Sequence, residues 1–263
     1  MSTARVIANS GGRTSGVMAL REMAKGLGPA DYIVFCNTGK EREETLRFLH
    51  LQETVLGVPI IWLEYCRFNK WKRVSYETAS RKGEPFEALL TNRRNGKVYL
   101  PNFMTRYCTQ ELKIRVMRDF MRSQGHRHYV SLVGIRYDEP RRHANGKNDR
   151  SHDVEHPLYH ARITKPDVLA IWKAQPFDLE LKDHEGNCDL CFMKGEAKLL
   201  DIIRSDPNAA QWWIDGDAAG NGRGFRPTGR ASYADLLERT QVQPMLDFWP
   251  EAQEESLTCF CTD

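Results

Sequence analysis

Long hydrophobic runs are missing from this chain, and the opening residues, Met1-Ser2-Thr3-Ala4-Arg5, carry no signal-peptide core. A strong charge of one sign is missing too. With 38 Lys and Arg against 35 Asp and Glu the net charge is +3, which suits an anionic ligand without demanding nucleic acid. Internal repeats and low-complexity tracts are absent, and no segment has the Walker A spacing with its Gly-Lys-Ser/Thr ending. These absences argue against a membrane span, a repeat array and a P-loop NTPase, and they predict a cytoplasmic protein with no membrane partner. In that reducing compartment the seven cysteines are not a disulfide framework.

What is present is enough chain to bury a full core: 263 residues, 41% of them hydrophobic, read as one large domain or one domain with an appendage. Apolar, β-rich runs at 5–8, 32–36, 59–63 and 129–133 alternate with helix-period segments at 15–25, 42–56 and 111–123. Continuous apolar strands alternating with helices predict an α/β fold, a twisted and mainly parallel sheet with helices on both faces. Residues 67–102, aromatic and basic, interrupt the alternation and read as an insertion or lid. The polar run 141–156 reads as a mobile loop. Helices are predicted at 163–174, 196–204 and 231–239, with a glycine-rich loop at 216–229. The expected division is a nucleotide-binding α/β domain over 1–160 and a smaller, irregular and helical, cysteine-bearing part over 161–263.

Ser10-Gly11-Gly12-Arg13-Thr14-Ser15 lies between the first apolar run and the first helix-like stretch. A strand feeding a small-residue loop that opens a helix presents backbone N–H groups at a positive helix end, an arrangement that holds phosphate or sulfate. Glycine lets the backbone approach closely, and the hydroxyls of Ser10, Thr14 and Ser15 add donors. An ordinary helix N-cap uses the same residue types, so the loop gains meaning from its neighbours. Thr38 and Gly39 also fall just beyond a predicted strand end, where open α/β sheets bind ligands. Arg136, Asp138, Glu139, Arg141 and Arg142 follow another. An arginine fork reads phosphate or sulfate oxygens bidentately, and a carboxylate beside it can orient the arginine or hold Mg²⁺.

The cysteines divide in two. Cys36 and Cys66 sit in strand-like surroundings and read as small buried hydrophobes. Cys188 and Cys191 form a C-x-x-C, Cys259 and Cys261 a C-x-C, and Cys108 stands alone. Close cysteine pairs in a reducing compartment point to a metal: an iron–sulfur cluster, or a four-sulfur zinc (Zn²⁺) site made of the two pairs. His126, His128, His143, His152, His156 and His160 lack metal spacing and read as solvated or as loop contacts to a phosphorylated partner. Trp212, Trp213 and Trp249 read as core.

Four segments in order, SGGRTS at 10–15, FCNTG at 35–39, RYCTQELK at 106–113 and GIRYDEPRR at 134–142, together with GNCDLC at 186–191, resemble the phosphoadenosine phosphosulfate (PAPS) reductase family of the adenine-nucleotide α-hydrolase (PP-loop) superfamily. The match spans most of residues 1–195. The resemblance implies a parallel sheet with Ser10, Gly11, Gly12, Arg13, Thr14 and Ser15 around the phosphates of ATP, adenosine phosphosulfate (APS) or PAPS. It puts Asn37, Thr38 and Gly39 near the nucleotide, and Arg136 and Asp138 at its charged groups. Thr14 stands where ATP-splitting relatives carry an Asp.

In the family's iron–sulfur branch a cysteine pair precedes a Lys-bearing helix and a C-x-x-C follows. The resemblance therefore implies a [4Fe–4S] cluster on Cys108, Cys188, Cys191 and either Cys261 or Cys259, because Tyr107 occupies the partner position. Cys108, Lys113, Arg136 and Cys261 become the candidate catalytic residues. The reductases' Glu-Cys-Gly-x-His tail is absent, which tilts the reading toward ATP-dependent sulfur transfer over sulfonucleotide reduction with sulfite release. A zinc-stapled nucleic-acid-binding protein without catalysis, using the basic segments 67–73, 93–97 and 141–150, is the third reading. The implied partners are the adenine nucleotide and a thiol or sulfur-donor protein, with a nucleic-acid acceptor and a homo-oligomer left open.

Overall fold

The apolar runs become strands and the periodic segments helices in the computed structural model, which describes residues 3–91, 98–146, 148–182, 184–186 and 188–242. In chain order the strands are β1 (Arg5–Ala8), β2 (Asp31–Asn37), β3 (Ile60–Cys66), β4 (Lys70–Val74), β5 (Tyr129–Val133) and β6 (His152–Glu155). They form one sheet, β4-β3-β2-β1-β5-β6, parallel throughout except for β4 against β3. The helices that position the site are α1 (Arg13–Ala24), α2 (Glu43–Thr54), α3 (Glu84–Leu90), α4 (Tyr107–Thr109), α5 (Arg115–Ser123), α6 (Pro140–Ala144), α7 (Pro157–His160) and α8 (Lys165–Lys173). Between α4 and α5 the helix widens to a π turn over Gln110–Ile114. Then come α9 (Glu196–Ser205), α10 (Ala209–Ala219) and α11 (Tyr233–Val242).

Strand alternation sends neighbouring residues to opposite faces of the sheet. Ile7, Ile33 and Phe35 pack on one side with Val17 and Met18 of α1, Leu46 and Phe48 of α2, and Val168 and Trp172 of α8. Val6, Val34 and Cys36 pack on the other with Val116, Phe120 and Met121 of α5. Helices therefore cover both faces, as the continuous apolar strands predict. Trp172 is fully buried, its ring 4.5 Å from Phe48, and its indole N–H donates to the Arg13 carbonyl at 2.8 Å. Truncating such a side chain costs about 3–5 kcal/mol. The first core thus continues through α8 to Leu179 and Leu181. A further core joins Phe86, Leu89 and Leu112 to Leu190, Leu199, Trp213 and Tyr233, so α9–α11 pack on the insertion and the π turn.

Three expectations need correction. The run 141–156 is not simply a loop: it contains α6 and β6, and β6 pairs with β5 in parallel. The insertion contributes an edge strand, β4, and helix α3. The loop expected at 216–229 is shortened by α10, which runs to Ala219, and Phe225 is fully buried. Trp213 is core, as expected, and Trp212 lies over Lys40 with the ammonium 4.9 Å from its ring centre. Segment 93–97, Trp249, Cys259 and Cys261 lie outside the described residues. Among the described residues no helix is long and apolar enough to cross a membrane.

Candidate functional site

The strand order creates the site. From β1 the chain moves outward through β2 and β3, then returns to the other side of β1 as β5. At such a reversal the connections after β1 and β5 part, leaving a crevice at the strands' carboxyl ends. The 10–15 loop follows β1 here, and Gly134 follows β5. A cavity of about 610 Å³ opens there, lined by Asn9, Ser10, Ser15, Gly134, Lys113 and Arg142 among others. That volume lies within the ~300–1,000 Å³ range of small-molecule sites.

The loop is braced from inside. Ser15 Oγ bonds Ser10 Oγ at 2.9 Å, accepts the Ser10 N–H at 3.1 Å and donates to the Gly12 carbonyl at 3.0 Å. Asn9 Oδ1 accepts the Gly11 N–H at 3.2 Å, while Asn9 Nδ2 donates to Gln52 Oε1 at 2.9 Å. Gly11 has φ +86°, and a Cβ there would stand 2.5 Å from Thr45 Cγ2, so glycine is required twice over. Helix α1 starts at Arg13 with no side-chain cap and no acidic residue in its first turn. The donors offered to an anion are therefore the first-turn amides of α1 rather than those of Ser10 and Gly11.

The side chains named from sequence do not all meet in the cavity. Ser10, Ser15 and Lys113 line the cavity. Arg136 stands behind the loop: its Nη1 donates to Thr14 Oγ1 at 2.9 Å, its Nε to Asp138 Oδ1 at 3.2 Å, and its backbone N–H to Glu139 Oε2 at 3.0 Å. The Arg13 side chain turns away, forking onto Asp178 (2.8 and 3.1 Å) and reaching the carbonyls of Leu179 and Leu181. Asn37 is a buried latch, with Nδ2 donating to Glu64 Oε1 at 2.7 Å and to the Ser80 carbonyl at 2.8 Å. Its Oδ1 accepts the Gly39 N–H at 3.0 Å.

Thr38 belongs to a second cluster with Glu41, Lys113 and the cysteines. Both the N–H and the hydroxyl of Thr38 donate to Glu41 Oε2 at 2.9 Å. Lys113 Nζ lies 3.7 Å from Glu41 Oε1, and Cys188 Sγ lies 3.5 Å from Thr38 Oγ1. Cys108, Cys188 and Cys191 are half-buried against the same apolar core. Burial, helped by Glu41, pushes the Cys188 thiol far up, and burial pushes Cys36 up to about 12, so both are protonated at neutral pH. Among the described residues no three His, Cys, Asp or Glu side chains are arranged to hold a metal ion.

Sequence reasoning missed what holds the C-x-x-C in place. Lys194 is buried and donates to the carbonyls of Cys188 and Asp189 at 2.8 and 2.7 Å. Asp189 accepts Trp213 Nε1 at 2.8 Å and pairs with Lys40 at 2.9 Å, and the Tyr233 hydroxyl donates to the Leu190 carbonyl at 2.6 Å. Burial lowers the Lys194 pKa, against the neighbouring Cys191, Asp189 and Cys188. Arg142 is 6% exposed, lines the cavity and pairs with Glu139, and among the described residues its Nε has no hydrogen-bond partner. The histidines divide. His128 is exposed and His126 half-buried beside Tyr32, but His152 and His156 are buried and line the cavity, against the solvated expectation. His156 Nδ1 lies 2.8 Å from His143 Nδ1, and His143 stacks on Tyr159 with ring centres 3.7 Å apart.

No protein-family model matches the chain. An uncharacterized nin region protein of Escherichia phage lambda, ORF290, is 29% identical over 208 residues, which cover 74% of this chain and 67% of that one.

Proposed function

We propose that this chain is an enzyme similar to the PAPS reductases, with the adenine-nucleotide α-hydrolase type of fold. It binds ATP, APS or PAPS with the anionic end at the 10–15 loop and uses it in sulfur chemistry, ATP-dependent sulfur transfer being the favoured form. The observation that carries this reading is the meeting of three features at one point. The reversal of strand order, Ser10 and Ser15 at the uncapped start of α1 and the basic side chains Lys113 and Arg142 share a single cavity. Arg136 supports the loop through Thr14, so its contribution is to hold the amide donors in place. Asp138, 40% exposed beside Arg136, is the carboxylate open to a Mg²⁺ accompanying the phosphates.

The cysteines suit a [4Fe–4S] cluster by chemistry, being soft sulfur ligands, with Cys188 and Cys191 on a loop braced by Lys194, Asp189 and Tyr233. They do not suit it by number, since Cys108, Cys188 and Cys191 need a fourth ligand, for which Cys259 and Cys261 are the candidates. A bound cluster would supply an electron-accepting, polarizable centre. Around it, Thr38 and Glu41 orient Cys188 and Lys113 supplies positive charge.

The test is direct. Protein purified without oxygen is analysed for iron and zinc, and its visible absorption is recorded. It is then given ATP, APS or PAPS. Nucleotide binding with pyrophosphate released from ATP supports the transfer reading, and thiol-dependent sulfite from APS or PAPS selects the reductase instead. Zinc in place of iron, salt-sensitive binding to nucleic acid and no nucleotide affinity would replace both with the non-catalytic reading.

A further inference from the structure

Half of the cavity is left unexplained by the loop. Its floor is the sheet face over β5 and β6, where Tyr129, Ser131, His152 and Val154 line it. Strand alternation and the parallel register, Tyr129 beside His152 and Ser131 beside Val154, put these side chains on one face. Elsewhere this face is apolar, and α5 covers it. Over β5 and β6 three polar side chains replace the apolar ones, and each is buried: Tyr129 is 2% exposed, Ser131 5% and His152 7%.

Polar side chains that line a cavity without a protein partner are available to whatever fills it. Among the described residues neither the Tyr129 nor the Ser131 hydroxyl has a hydrogen-bond partner, and His152 uses Nδ1 alone, on Ser151 Oγ at 3.2 Å. The Tyr129 and His152 rings stack 5.3 Å apart at 11°. Burial holds the imidazole pKa down and the phenol pKa up, so the floor carries no charge near neutral pH. From Tyr129 to Gly134 the backbone spans roughly 16 Å at ~3.3 Å per residue, so one elongated occupant, or two short ones, can touch both floor and loop.

Resting on the nucleotide reading of the loop, we infer that this floor is a subsite for an uncharged planar ring with both hydrogen-bond donors and acceptors, a nucleobase or a heterocycle of that size. Hydroxyls and an imidazole can each donate or accept, which matches the mixed edge of such a ring. The ring has two sources: the bound nucleotide itself, or a second molecule held beside it.

Calorimetric titration of the full chain with pyrophosphate, with ATP, and with adenosine or cytidine in the presence of pyrophosphate separates them. The variants are Tyr129→Phe and Ser131→Ala, each removing one hydroxyl while keeping the packing. Because these hydroxyls hold nothing in the protein, melting temperatures should stay level or rise. Pyrophosphate affinity should be unchanged, while a ring-bearing ligand binds about tenfold more weakly. Weaker ATP binding assigns the floor to the nucleotide's own ring. Unchanged ATP with weaker nucleoside binding assigns it to a second molecule. The inference is overturned if no ring-bearing ligand responds to either substitution, or if the melting temperature drops in both variants. Should wild-type protein ignore pyrophosphate yet bind nucleosides through these hydroxyls, the loop reading fails and the floor stands.

Discussion

Arg136 and Thr14, 122 residues apart in the chain, are joined by a hydrogen bond of 2.9 Å from the guanidinium to the hydroxyl. That bond ties the segment after β5 to the first turn of α1, the two sides of the crevice. It makes Arg136 a positioning residue, with Asp138 and Glu139 fixing the guanidinium from behind.

Arg136→Ala removes that tie and leaves Glu139 with Arg142 alone. Pyrophosphate or ATP affinity, measured calorimetrically, should fall by about 10–100-fold, the range for losing a charged hydrogen bond of ~1.5–3 kcal/mol. Arg136→Lys keeps the charge without the fork and should recover only part of it. Equal affinity in all three proteins would show that the tie does not shape the loop.

Gly134 is the other half of this contact. A Cβ on it would lie 3.2 Å from Ser15 Cα and 3.3 Å from Ser15 N, backbone atoms that have little room to yield. Gly134→Ala should lower stability by about 1–3 kcal/mol in urea unfolding and weaken pyrophosphate binding with it. An unshifted midpoint with unchanged affinity would count against a tight loop.

His156 supplies a pH dependence. Burial first, then the neighbours His143, His160 and Arg142, hold its pKa down at about 4, against 6.5 ordinarily. Between those values the unfolded chain carries the extra proton, so stability falls as pH drops from 6.5 towards 4 and this contribution then levels off. Melting temperatures across that window should decline less steeply in His156→Gln than in the wild type. Parallel curves would rule the histidine out as the cause.

The Arg13 fork on Asp178 anchors segment 178–181 against α1. Asp178 is 42% exposed, so Asp178→Ala should cost no more than about 1 kcal/mol, read as a small drop in melting temperature. Pyrophosphate affinity should stay within about twofold, because the loop amides are untouched. A large loss of affinity would mean that the Arg13 side chain serves the anion after all.

The edges of the sheet were hidden for a physical reason. β1 and β5 are buried on both faces, so their apolar runs end where the strands end. β4 (Lys-Trp-Lys-Arg-Val) and β6 (His-Asp-Val-Glu) lie at the two edges, partly in water, and their charged residues read as loop. The histidines were misread on the same ground, since polarity along the chain does not reveal that β6 turns His152 inward. Arg13 shows a different limit: the sequence puts it at the start of α1 but does not say which way its long side chain turns.

Local order alone settled the alternation of strands and helices, the glycine turn after β1 and the cysteine spacing, because these depend on neighbours along the chain. Which residues of the 10–15 loop and the segment after β5 face the cavity, which brace the loop from behind, and that a polar floor lies over β5 and β6 were decided only by folding. Those relationships join residues far apart in sequence, and a parallel sheet brings such residues together through crossovers that no short-range pattern records.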